Sequence, residues 1–154
     1  MAQIDIAQLV TEENKFEHVN ISDVVGVGEA NERNDVMLIQ ALFKLVGYSP
    51  YYAKLYFGMD KAELPEPTGD LDDKTVKAIW SFQKKTARRL LNIDGKIHPA
   101  NYKDRVIKKP WERVMAITFL NMNAIDGALM EHNTDLISAL KKIAPSLVLK
   151  QVSP

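Results

Sequence analysis

Apolar residues return at three- and four-residue steps in four stretches of this chain, the period of an amphipathic helix. In the first, Val36, Ile39, Phe43 and Val46 share a face. Asn34 or Asp35 is placed to cap its start, and Gly47 to end it as a left-handed residue. The second stretch opens at Asp72, a capping residue, with Asp73 in the first turn where the helix dipole favours negative charge. Thr75, Ile79, Phe82 and Thr86 step along its apolar face, and Ala78 admits a close neighbour. It is expected to run on to the turn signal Asn92-Ile93-Asp94-Gly95. The third begins at Pro110, which suits a first helical position, and carries Trp111, Val114, Met115, Thr118, Met122, Ile125 and Leu129 on a wide stripe. Gly127 weakens it near its end. The fourth is short: Asn133, Thr134 or Asp135 caps it, Leu136, Ile137, Leu140 and Ile143 line it, and Pro145 stops it.

Between these stretches the pattern changes. Residues 1–24 alternate weakly between apolar and polar (Ile4, Ile6, Phe16, Val19, Ile21), which reads as an extended arm docked on the rest. Gly26-Val27-Gly28 reads as a loop, because no third glycine or lysine makes it a phosphate cradle. Residues 48–68 read as a connection carrying five aromatics, Tyr48, Tyr51, Tyr52, Tyr56 and Phe57, with Pro65 and Pro67 stiffening its exit. The tail Ser146-Leu147-Val148-Leu149 is placed to pair as a strand with the arm.

Charge removes several function classes. Twenty basic side chains balance twenty acidic ones, so no global field steers the chain toward nucleic acid or an anionic membrane, and neither is an expected partner. The basic run Lys84-Lys85-Thr86-Ala87-Arg88-Arg89 reads as a solvated helix face. The sequence has no cysteine, which excludes disulfides and thiolate chemistry. No stretch approaches the ~20 apolar residues that cross a bilayer. The N-terminus has neither a basic region nor a sustained apolar run, so the expected site of synthesis and folding is the cytoplasm; the cell envelope is reached only with another delivery device.

Three blocks then resemble a known family. Asp35-Val36-x-x-Ile39-Gln40-x-x-Phe43-x-x-x-Gly47-Tyr48 resembles the first helix of peptidoglycan-binding-like domains. Gly69-x-Leu71-Asp72-x-x-Thr75-x-x-Ala78-Ile79-x-x-Phe82-Gln83 is similar to the last helix of that family, and Asp94-Gly95-x-Ile97-x-Pro99 to its closing turn. The resemblance covers about residues 25–100. It implies a small three-helix bundle. Together with the helical periods that follow, the expected fold is all-α: that bundle over 25–108, the arm at 1–24 before it and a helical extension over 109–154. The link between the signature helices is longer and more aromatic than the family's. The helix after Phe82-Gln83 is expected to be extended and basic.

Most matching residues have structural work to do: Gly47, Gly69 and Gly95 make turns, and Gln40 and Gln83 tie loops to helices through their amides. Ligand candidates are therefore sought among aromatics, whose faces accept sugar rings beside a few hydrogen-bonding groups. The candidate ligand-binding set is Tyr51, Tyr52, Asp70 and Trp80, around the loops at 48–72. Asp70, Asp72, Asp73 and Asp94 lack the spacing of a calcium loop, and His18, His98 and His132 are scattered, so no metal and no cofactor are expected. No Gly-x-Ser-x-Gly elbow or marked carboxylate pair is present. The leading expectation is a non-catalytic module that binds peptidoglycan or muropeptides. The alternative is a protein-interaction or structural module of a phage or secretion-system assembly, suggested by Met115, Met122 and Met130 on one helix.

Overall fold

The computed structural model describes residues 2–8, 15–101, 104, 107, 109 and 111–151. Helix dominates these residues, in five α-helices: α1 (Arg33–Val46), α2 (Pro50–Phe57), α3 (Asp73–Lys85), α4 (Ala116–His132) and α5 (Leu136–Ile143). The strands run from two to seven residues. β1 (Ala2–Gln8) pairs antiparallel with β2 (Lys15–Asn20) and parallel with β5 (Leu149–Gln151), giving the order β2-β1-β5. β3 (Val25–Gly26) pairs antiparallel with β4 (Lys96–Ile97). The arm and the tail do pair, through Leu149–Gln151 and not through Ser146–Val148.

Four phenylalanines tie the helices together. Phe43 of α1 meets Phe57 of α2 edge-on, with ring centroids 5.2 Å apart, and Phe82 of α3 touches both at 6.0 and 5.5 Å. Phe119 of α4 then packs on Phe82 at 6.1 Å. Phe43, Phe57 and Phe82 are among the largest fully buried side chains, each contributing roughly 1.5–3 kcal/mol by leaving water. The sequence periodicity had placed Phe43 and Phe82 on helix faces, and those faces meet here.

Side-chain amides do much of the remaining joining. Asn121 in α4 accepts from the Val19 N–H at 2.8 Å and donates to the Val19 carbonyl at 2.9 Å, so one side chain satisfies both backbone groups of a strand residue. Asn20 holds Ala100 in the same way, Asn34 holds Val148, and Asn31 holds Gly26. Gln40 and Gln83 play the loop-tying roles expected of them. Gln40 accepts from Gly69 N and donates to the Asp70 carbonyl, and Gln83 accepts from Gly95 N and donates to the Lys96 carbonyl. Gly69 (φ 87) and Gly95 (φ 75) turn the chain in the left-handed region, so a two-point clamp on a glycine turn occurs twice.

Several sequence expectations need correction. Neither Asn34 nor Asp35 caps α1; the Glu32 side chain does, accepting from Asn34 N. Asp35 is fully buried and receives Ser22 N, Ser22 Oγ and Asp23 N, which anchors the segment after β2 to α1. Gly47 is not left-handed (φ −94); a β-carbon there would come within 2.5 Å of Leu64 Cδ1, so close packing explains it. The 48–68 connection contains α2, capped by Ser49 with Pro50 in its first turn, and a 3₁₀ turn at Lys61–Glu63. α3 stops at Lys85, followed by a 3₁₀ turn at Ala87–Arg89.

The third helix begins at Ala116, six residues beyond Pro110, which itself lies outside the described residues. Val114 is in a bridge with Leu90, donating to Arg89 O and accepting from Leu91 N, and Trp111 is 71% exposed and not part of a buried stripe. Val114's N–H and carbonyl are thereby paired with residues 89 and 91 and not with neighbours one helical turn away. Asp72 and Asp135 cap α3 and α5 as expected.

Candidate binding surface

The Ser49 cap and Pro50 set the phase of α2, and four-residue spacing then lines up Tyr48, Tyr52 and Tyr56. Their rings form a ladder. Tyr48 and Tyr52 are 5.2 Å apart, and Tyr52 and Tyr56 are stacked at 5.9 Å with 11° between planes. Tyr51 meets Tyr52 edge-on at 5.1 Å and is 67% exposed. Tyr48, Tyr52 and Tyr56 are half-buried. Polar groups from α4 border the ladder: Tyr56 donates its hydroxyl proton to Asn123 Oδ1 at 2.8 Å, and Asn123 is itself oriented by donating to the Phe119 carbonyl.

The phenols carry the signature of that setting. Desolvation raises the Tyr48 hydroxyl above its ordinary pKa, and neighbouring Tyr52 and the charges of Asp126 and Glu131 push the same way. Tyr56 is raised first by burial, then by Tyr52, Asp126 and Tyr51, against the lowering effect of Arg89. These hydroxyls therefore stay protonated donors across the physiological range. A row of aromatic faces with hydroxyl, amide and carboxylate groups at its edge suits a polar ring or a peptide better than a purely apolar ligand.

The structure brings Tyr51 and Tyr52 together and places the other two candidates at separate contacts. Asp70 pairs with Arg33 at 3.2 Å, both well exposed, at the start of α1. Tyr48 follows the far end of that helix, about 20 Å of rise from Arg33. Trp80 is 40% exposed and its indole lies against Gly95, where any β-carbon would overlap the ring. Lys84 caps the indole face at 5.7 Å from the centroid. Trp80 thus braces the Gln83-clamped turn while keeping an open edge. Tyr48, Tyr56, Asn123 and Asp126 were not singled out as ligand residues. The four-residue tyrosine spacing was visible in the sequence, but the α4 partners were not.

A cleft of about 370 Å³ opens beside the end of α1, lined by Lys44, Gly47, Lys61, Ala62, Leu64 and Glu66. Lys44 Nζ lies 2.8 Å from both Glu66 carboxylate oxygens, so these two charges at its wall are already paired. Elsewhere His98 Nε2 lies 2.6 Å from Asp94 Oδ2. Desolvation pushes the Asp94 carboxyl up, but the bonds from His98 and the Lys96 N–H outweigh it and leave its pKa lowered. Among the described residues no group of three or more His, Asp or Glu side chains is arranged to hold a metal ion. No helix among them is long and apolar enough to cross a membrane. Comparison of the chain with family models, with curated proteins and with solved structures gives no match.

Proposed function

We propose that this protein is a non-catalytic module that binds bacterial cell-wall peptidoglycan, with the tyrosine ladder of α2 as the contact face. The observation that carries this reading is the stacked row Tyr48-Tyr52-Tyr56 with Tyr51 beside it, bordered by Asn123. Aromatic faces receive the apolar faces of N-acetylated sugars, and the bordering amide and hydroxyls meet their polar groups. The resemblance over residues 25–100 to peptidoglycan-binding-like domains points the same way. The two glutamine-clamped turns suit that resemblance, because they give physical work to residues that define its blocks.

Retention on purified sacculi tests the reading. The wild-type protein is expected to sediment with sacculi at low and moderate salt, and Tyr52→Ala to lose most of that retention while keeping its helical circular dichroism. Wild-type retention no greater than that of an inert control of similar size overturns the proposal.

A second reading has one observation of its own. Leu129 and Met130, at the end of α4, are 57% and 68% exposed, an apolar pair that an assembly partner would cover. The protein would then serve as an interaction module of a phage or secretion-system assembly. A stable hetero-complex from the native host, lost in Met130→Lys, together with no retention on sacculi, would favour it.

A further inference from the structure

Arg89 was expected on a solvated basic face, and it is not there. It closes the 3₁₀ turn after α3, where its carbonyl accepts from Val114 N at 2.9 Å and fixes the backbone. Its guanidinium lies 5.1 Å from the centroid of the Phe119 ring. Nε and Nη2 are both buried, and neither has a hydrogen-bond partner among the described residues. The location of these two atoms matters. Nε–H and Nη2–H point in parallel from one edge of the planar group, the edge that receives both oxygens of a carboxylate. The Phe119 contact serves the guanidinium face and leaves that edge unserved.

The guanidinium and the tyrosine ladder share Phe119 as a neighbour. Tyr56 packs edge-on against the same Phe119 ring at 6.1 Å, close enough for the Arg89 charge to oppose part of the net upward shift of its phenol. We propose that Arg89 is a carboxylate-receiving subsite of the tyrosine face. An acidic sugar or peptide lies on the ladder while its carboxylate takes the Nε/Nη2 edge. Arg89 as a residue is half-buried while Nε and Nη2 are buried, so the subsite requires the side chain to turn about its stem as the ligand arrives. Asp126 and Glu131, whose charges act on the ladder, favour a singly charged carboxylate over a more highly charged phosphate. The inference deepens the wall-binding reading and rests on it only for the source of the carboxylate.

The test follows the arginine Nε–H signals of the ¹⁵N-labelled full chain by NMR, with the Arg89 signal assigned by its loss in Arg89→Lys. The probes are N-acetylmuramic acid, its methyl ester, D-alanyl-D-alanine, N-acetylglucosamine and inorganic phosphate. At least one of the two free acids is expected to shift the Arg89 signal, and the ester and N-acetylglucosamine to leave it in place. Arg89→Lys is expected to weaken the active acid by at least about tenfold, since lysine keeps the charge and loses the fork. N-acetylmuramic acid as the active probe identifies the sugar as the source; the dipeptide identifies the peptide terminus. Should Arg89→Lys not fold, through-bond correlation from the Arg89 backbone amide assigns the signal, and the acid-against-ester comparison on the wild-type protein decides. No shift with either acid, an equal shift with the ester, or a response to phosphate alone overturns the proposal. A shift with an acid but no retention on sacculi leaves the subsite standing and removes the wall reading. Retention without any shift does the reverse.

Discussion

Gly127 of α4 lies directly on the Leu45 carbonyl of α1, so close that a β-carbon at position 127 would overlap it. Helix propensity alone makes alanine better than glycine by about 1 kcal/mol. The contact reverses that sign. Gly127→Ala is expected to destabilise the protein by about 1–3 kcal/mol, because α1 and α4 must move apart around a packed core. Urea unfolding of the two proteins checks it, and a variant as stable as wild type would show that the helices do not meet this closely.

The Asn121 clamp gives a nearly isosteric test. Asn121→Asp replaces the Nδ2 donor by an acceptor facing the carbonyls of Val19 and Ile117 at a site only 3% exposed. The expected cost is about 2–3 kcal/mol, from two lost bonds and carbonyls left facing an oxygen. Hydrogen exchange should quicken at the Val19 amide, which locates the loss at the join between β2 and α4.

Tyr51 and Tyr56 separate binding from stability. Tyr51→Ala removes a side chain that is 67% exposed, so stability should change by no more than about 0.5 kcal/mol while retention on sacculi falls. Tyr56→Phe deletes the 2.8 Å bond to Asn123 and should cost about 1 kcal/mol. Thermal unfolding and sacculus sedimentation, run on both variants, distinguish the two effects.

Asp94 predicts a pH dependence. Its folded-state pKa is lowered from 3.8, so its contribution to stability is present above 3.8 and lost as pH falls through the depressed value. The Asp94–His98 pair is partly exposed, which keeps the effect small. Asp94→Asn should therefore melt slightly below wild type near neutral pH, and the gap should close in acid. A gap that widens with acid would contradict the assignment.

Asp35 carries the opposite sign. Burial raises its carboxyl pKa above 3.8, against the lowering bonds from Ser22 and Asp23, so its ionised form is the less favoured one in the folded state. Its contribution to stability is greatest below 3.8 and declines as pH rises through the raised value. Asp35→Ala should still destabilise at neutral pH, by about 2–4 kcal/mol, because three donors lose their acceptor. Chemical denaturation across pH measures both the loss and its slope.

Local chemistry made part of this protein readable from its residues. The helical period placed α1, α3 and α5. The caps at Asp72 and Asp135 depend on neighbours three residues away, as does the left-handed turn at each of Gly69 and Gly95 on the chain immediately around it. α2 escaped because its eight residues are apolar nearly all round, leaving no polar face to mark a period. The start of α4 escaped because Val114 takes a partner from residues 89–91. Other features were decided only in the tertiary structure: the Asn34–Val148 clamp across 114 positions, the burial of Asp35, the Gly127 contact, the border that α4 gives to the tyrosine ladder, and the seat of Arg89 on Phe119. The reason is physical. A cap or a helical period is settled within one turn of chain, whereas a side chain's burial and hydrogen-bond partner depend on which distant segment the packed core brings beside it.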